Sequence, residues 1–143
     1  MKKFEGIYTA LLTPFDENGR INENALSDLI EYNLKLGANG FYCCGSTSEV
    51  FMLTDDERRE LMRLCAEIIG NRAVKIAHVG AISADTASGL AKYADDLGYD
   101  AVSAVAPFYY GFGTDEIISY YRQIADASPL GVLVYNIPAA TGV

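Results

Sequence analysis

Tryptophan is absent from the sequence, histidine occurs once, and proline only four times in 143 residues. With His78 as the only imidazole, a multi-histidine metal cluster is excluded. Cysteine is scarce as well. Cys43, Cys44 and Cys65 show no CxxC spacing, and the first two are adjacent inside an apolar run. Such thiols read as buried residues of a reducing compartment, not as a disulfide framework or a zinc site. Basic residues are also few, with 11 Lys and Arg against 19 Asp and Glu and a formal net charge of -8. A surface this acidic repels phosphate backbones and anionic lipid heads, so neither nucleic acid nor membrane is expected as a partner. The short basic start, Lys2 and Lys3, does not alter that balance. No apolar run approaches the roughly 20 residues of a membrane span. The start lacks the apolar segment and small-residue cleavage site of a secretory signal, and a cytoplasmic location is expected.

What is present is a regular alternation of short apolar runs and longer amphipathic ones. Half of the residues are hydrophobic, enough for one domain with a core over residues 1–143 and too little for two. Strands are expected at 6–12, 40–44, 73–79, 101–105 and 130–135. Helices are expected at 22–36, from Thr54 to Gly70, from Ser83 to Leu97, and from Thr114 through Ala127. The first helix carries Leu26, Leu29, Ile30 and Leu34 on one face and stops at Gly37. In the second, Thr54 and Glu57 are spaced as a capping box, and Leu61, Leu64, Cys65 and Ile68 point inward. Ser83 is placed to cap the third, which Gly98 closes. The order is β-α-β-α-β-α-β-α-β, with repeats of about 30 residues, the size of a βαβ unit. The strands are apolar and barely alternate, as parallel strands covered on both faces do. An α/β class follows, either an open doubly wound sheet or part of an eight-stranded barrel.

In both architectures chemistry gathers where strands end and helices begin. The residues there are Thr13-Pro14-Phe15, Gly45-Ser46-Thr47-Ser48-Glu49, Gly80, Pro107-Phe108-Tyr109-Tyr110 and Tyr135-Asn136-Ile137-Pro138. Hydroxyls and phenols dominate this rim. It has no histidine general base, metal cluster or GxGxxG fingerprint, so no metal or cofactor is expected. The N–H groups and hydroxyls of Gly45-Ser46-Thr47 suit a carboxylate or phosphate, although many βα turns carry such residues for structural reasons alone. Tyr135 at a strand end suits proton transfer, for which a neighbour must lower its ordinary pKa of about 10; the alternative is a phenol that fills space. Tyr109 and Tyr110 suit packing or an oligomer contact. His78, inside a strand, reads as an interior side chain with its hydrogen bonds satisfied.

Tyr8-Thr-Ala-Leu-Leu-Thr-Pro-Phe15, Gly45-Ser-Thr-Ser-Glu49, Ile76-Ala-His-Val-Gly80, Asp100-Ala-Val-Ser-Ala-Val-Ala-Pro-Phe-Tyr-Tyr110 and Val134-Tyr-Asn-Ile-Pro138 occur in that order. Together they resemble the N-acetylneuraminate lyase branch of the dihydrodipicolinate synthase superfamily, the pyruvate-dependent class I aldolases. The resemblance covers essentially the whole chain and corresponds to the N-terminal half of a family member. It implies a (β/α)8 barrel, here a half barrel of about five parallel strands and four helices. It also implies a homotetramer, cleavage of N-acetylneuraminate to N-acetylmannosamine and pyruvate through a lysine Schiff base, and a place in sialic acid catabolism. By the same resemblance Ser46 and Thr47 grip the pyruvate carboxylate, Tyr135 shuttles the proton, and Tyr109 reaches the neighbouring subunit's site.

Two departures from the family pattern stand out. The family's lysine lies on the sixth strand, beyond Val143, and none of Lys2, Lys3, Lys35, Lys75 or Lys92 is at a matching position. The chain alone is therefore expected to form no imine, and its first and fifth strands to be open edges prone to self-association. In addition, Ser48 stands where the motif usually has a second glycine. Were that position at positive φ, serine there would be strained. Two other functions remain open: a pyruvate-dependent synthase such as dihydrodipicolinate synthase, and a non-catalytic half barrel that uses the rim only to bind.

Overall fold

Strand and helix alternate throughout the computed structural model, which describes residues 4–143; Lys2 and Lys3 lie outside the described residues. The α/β class with five parallel strands is the one expected from the sequence. The chain divides into two compact units, residues 1–77 and 78–143.

The first unit runs β1 (Tyr8–Ala10), α1 (Glu23–Lys35), β2 (Gly40–Cys43), two 3-10 turns (Ser46–Ser48 and Val50–Met52), α2 (Asp55–Ile69) and β3 (Val74–His78), whose last residue belongs to the second unit. β2 pairs in parallel with β1, Tyr8 opposite Gly40, and with β3, Gly40 opposite Val74. β1 is shorter than its apolar run because Gly6, at φ 95°, turns the chain beside Asn39. The Asn39 side chain accepts the Ile7 N–H at 2.9 Å. β2 stops at Cys43 because Cys44 takes a left-handed φ of 58°, which strand pairing does not accommodate.

Asn22 caps α1 by accepting the Ala25 N–H, and Leu26 and Ile30 are its fully buried residues; Leu29 and Leu34 are half-buried. The Thr54–Glu57 capping box opens α2 as its spacing predicts. Leu61, Leu64 and Cys65 are buried, but the last inward residue is Ile69 and not Ile68, which is half-buried. One residue is 100° of helix turn, so Ile69, four after Cys65, falls on the buried face more squarely.

The second unit runs α3 (Ala84–Asp96), β4 (Ala101–Val105), α4 (Thr114–Ala127), β5 (Gly131–Tyr135) and a single turn, α5 (Pro138–Thr141). That fifth helix was not expected; Pro138 at its first position supplies the preset φ that starts it. Ser83 occupies the N-cap of α3, yet its side chain caps nothing, contrary to expectation. The preceding loop is instead held by Tyr120 of α4, whose hydroxyl accepts the Ala81 N–H and donates to the Ala81 carbonyl, both at 3.0 Å. The buried face of α3 is made of Ala87, Leu90, Ala91 and Ala94, and the helix packs against α4 and β4. Every residue of β4 is buried. β4 pairs with β5 in parallel, Ala101 opposite Gly131 and Val105 opposite Tyr135. β5 is apolar but uncovered, with Val134 63 % exposed.

Candidate active site

In the first unit the hydroxyl-rich turn follows directly from how β2 ends. Cys44 turns the chain through positive φ, and Gly45 then lies against the Tyr42 ring. A Cβ on Gly45 would stand 2.6 Å from that ring, so only glycine fits. Ser46–Ser48 forms a 3-10 turn, and Glu49 closes it at φ 56°. The left-handed residue of the motif is thus Glu49 and not Ser48, and the strain foreseen at Ser48 does not arise. Ser48 is buried, its hydroxyl donates to the Leu11 carbonyl at 2.7 Å, and its own carbonyl accepts from the Thr13 hydroxyl at 2.8 Å. These two bonds fasten the turn to the chain leaving β1. Ser46 and Thr47 remain exposed, and their N–H groups open the turn, where no intrahelical acceptor exists. The arrangement offers N–H and hydroxyl donors, which suit a carboxylate.

In the second unit Tyr135 is the last residue of β5 and half-buried. His78 is 1 % exposed, and its Nε2 accepts the Val105 N–H at 3.3 Å, as an interior, satisfied histidine should. The His78 and Tyr135 rings meet edge to face, with centroids 6.5 Å apart. Tyr109 is 84 % exposed and held at φ 78°. It packs against Tyr110, which packs against Phe112, in a run of edge-to-face contacts. A non-glycine residue at that φ is strained.

Sequence reasoning named Ser46, Thr47, Tyr109 and Tyr135 as candidates, and each lies after or at the end of a strand, Ser46 and Thr47 in the first unit and Tyr109 and Tyr135 in the second. It missed the anchoring role of Ser48 and Thr13, and the seat of His78 on Val105. An available signal for the second was the His78–Gly80 spacing, which puts both on one face of an extended chain.

The three cysteines are free and buried. Burial pushes the Cys44 thiol far above its ordinary value, with the neighbouring Cys43 adding to it. A hydrogen bond to Cys43, followed by burial, raises Cys65 likewise. Neither Cys44 nor Cys65 is a nucleophile at neutral pH. Among the described residues no cluster of His, Cys, Asp and Glu could hold a metal ion, and no helix is long and apolar enough to cross a membrane.

The sequence profile of the Dihydrodipicolinate synthetase family matches residues 3–143. N-acetylneuraminate lyase of Histophilus somni (strain 2336) is 44 % identical over 144 residues, covering 100 % of this chain and 49 % of that protein. The N-acetylneuraminate lyase of Rhizobium meliloti (strain 1021) is 42 % identical over 97 % of this chain and 46 % of its own length. Among solved structures, CdNal from Clostridium difficile in complex with mannosamine superposes with a TM-score of 0.96 at 41 % identity, covering 99 % of this chain and 49 % of that one. A dihydrodipicolinate synthase from Bacillus anthracis gives 0.95 at 33 % identity, covering 100 % and 49 %. These are TIM-barrel proteins, and the chain spans about half the length of the curated relatives it matches.

Proposed function

The chain belongs to the dihydrodipicolinate synthetase family, and on that premise we propose that the protein carrying it is a pyruvate-dependent aldolase that cleaves N-acetylneuraminate. The observation that carries this reading is the match, at 42–44 % identity over 97–100 % of this chain, to about half the length of relatives of that one activity. The runner-up, dihydrodipicolinate synthase, is supported by a structural match of nearly equal quality but at 33 % identity.

The chemistry assigns each group a task. Breaking the carbon–carbon bond leaves an electron pair on what becomes the methyl carbon of pyruvate. A protonated imine accepts that pair; a ketone does so far less well. The amine for it lies outside these 143 residues. Lys75 is buried with its Nζ donating to the Gly70 carbonyl at 2.7 Å, while Lys35 ends α1 and Lys92 is exposed on α3. Ser46 and Thr47 hold the keto-acid carboxylate by N–H and hydroxyl donors and so fix the reacting carbon. The Tyr135 side-chain oxygen shuttles the proton of the C4 hydroxyl as the bond opens. Tyr109 reaches a neighbouring subunit in a homotetramer, which gives its strained, exposed geometry a purpose. Three buried free thiols fit a reducing cytoplasm.

Borohydride trapping with pyruvate tests the reading. The complete protein gains the mass of a reduced pyruvate adduct, and the 143-residue chain alone gains nothing. Absence of an adduct on the complete protein removes the aldolase reading and favours a binding role. Coupled assays with N-acetylneuraminate and with pyruvate plus an aldehyde acceptor separate lyase from synthase. Tyr135→Phe should lower kcat by on the order of 100-fold or more, as loss of a proton-transfer group does, with pyruvate trapping at equilibrium retained.

A further inference from the structure

The buried imidazole of the second unit has no task in the chemistry above, yet it touches the residue that does. We propose that His78 is a positioning residue: seated on the Val105 N–H, its ring forms the wall that orients the Tyr135 phenol. This deepens the reading above and rests on Tyr135 being the group that moves the proton.

Four observations converge on it. His78 ends β3, is 1 % exposed, and accepts the Val105 N–H through Nε2 at 3.3 Å. A ring nitrogen that accepts an N–H carries no proton, so the imidazole is neutral and Nδ1 holds the hydrogen. Turning the ring over would present a C–H to the same N–H and lose the bond, so the acceptor also fixes the ring's orientation. Val105 is in turn the register partner of Tyr135 in the β4–β5 pair. The peptide that seats His78 is therefore the strand neighbour of the tyrosine. The two rings meet at 87° with centroids 6.5 Å apart, an edge-to-face geometry that defines a direction as well as a distance. Finally, Gly80 leaves the space the imidazole occupies. A Cβ there would stand 2.8 Å from the His78 Nε2 and 2.9 Å from the Val105 nitrogen, dislodging one from the other.

A plainer role for His78 is to satisfy a buried N–H, and the two roles separate by substitution. His78→Gln places an amide oxygen near the position of Nε2, so it keeps an acceptor for Val105 but removes the aromatic wall. In the complete protein, with N-acetylneuraminate as substrate, we expect His78→Gln to melt near the unsubstituted protein. Its KM should stay within about twofold, and its kcat should fall on the order of tenfold, since small misplacements of a reacting group cost rate and not affinity. Added to Tyr135→Phe, it should cost nothing further, because there is then no phenol to aim. Unchanged kcat in His78→Gln, or a loss that multiplies with that of Tyr135→Phe, overturns the positioning role while leaving the Tyr135 assignment intact. A Tyr135→Phe enzyme with full kcat overturns that assignment and the positioning role with it. Should His78→Gln fail to fold, His78→Phe decides: it keeps a ring but loses the seat on Val105, so a kcat loss that disappears in the Tyr135→Phe background supports the role, and an unchanged kcat, or a loss that multiplies with that of Tyr135→Phe, overturns it.

Discussion

Ser48 donates its hydroxyl across the turn to the Leu11 carbonyl, a job no glycine could do at that place. Because its φ is not positive, the usual glycine of the family motif is no conformational necessity in this chain; Glu49 carries the left-handed residue instead. Two substitutions should therefore move stability in opposite directions. Ser48→Gly strands a buried carbonyl and loosens the backbone, and should destabilise the complete protein by about 1–3 kcal/mol. Glu49→Gly relieves a left-handed non-glycine residue and should be neutral or stabilising by up to about 1 kcal/mol. Chemical denaturation of both variants checks the signs, and destabilisation by Glu49→Gly would refute the assignment of strain. At this scale the sequence showed which residues bear hydroxyls after a strand, and so pointed to Ser46 and Thr47. It could not show Ser48 bonded to a residue 37 positions away, or His78 to one 27 away, because such pairs depend on which strands become neighbours.

Helices were more legible than strands, for a physical reason. Their ends are set by local chemistry: Asn22 before α1, Thr54 with Glu57 at α2, Glu116 accepting the Gly113 N–H before α4. Strand ends follow from backbone turns that an apolar run does not display, and β1 and β2 are both shorter than their apolar runs because Gly6 and Cys44 take positive φ. Ser83 shows the limit of the cap signal, since the right residue in the right place makes no capping bond. Thr54→Ala should cost about 1 kcal/mol, the usual worth of such a cap, with Ser83→Ala well below that. The Thr54 backbone N–H, then its hydroxyl, hold the Glu57 carboxyl below its ordinary 4.5. A depressed carboxyl contributes stability that is present above the unfolded value and disappears as pH falls through the folded one. Glu57→Gln should accordingly remove part of the acid-side loss of stability below about pH 4.5 and leave the slope above pH 6 unchanged, since titration there belongs to other groups. Melting curves across that range test it, and an unaltered acid limb would show the box contributes nothing to it.

Over the whole molecule the uncovered apolar strand sets the behaviour. Leu133 and Val134 of β5 are 38 % and 63 % exposed. Apolar strands left open in this way recruit other chains. The 143-residue chain by itself should self-associate at micromolar concentration, and Leu133→Lys with Val134→Lys should shift it toward monomer in sedimentation velocity. A monomeric unsubstituted chain would contradict this. The buried cysteines have a practical corollary. With all three thiols enclosed, and Cys44 and Cys65 also held in the protonated form, these 143 residues offer maleimides and related reagents no exposed thiol. A single cysteine introduced at Tyr110, 64 % exposed on the aromatic loop, would then be the one labelled position among them. A fluorophore there would report on that loop against a silent background, without first removing any native residue.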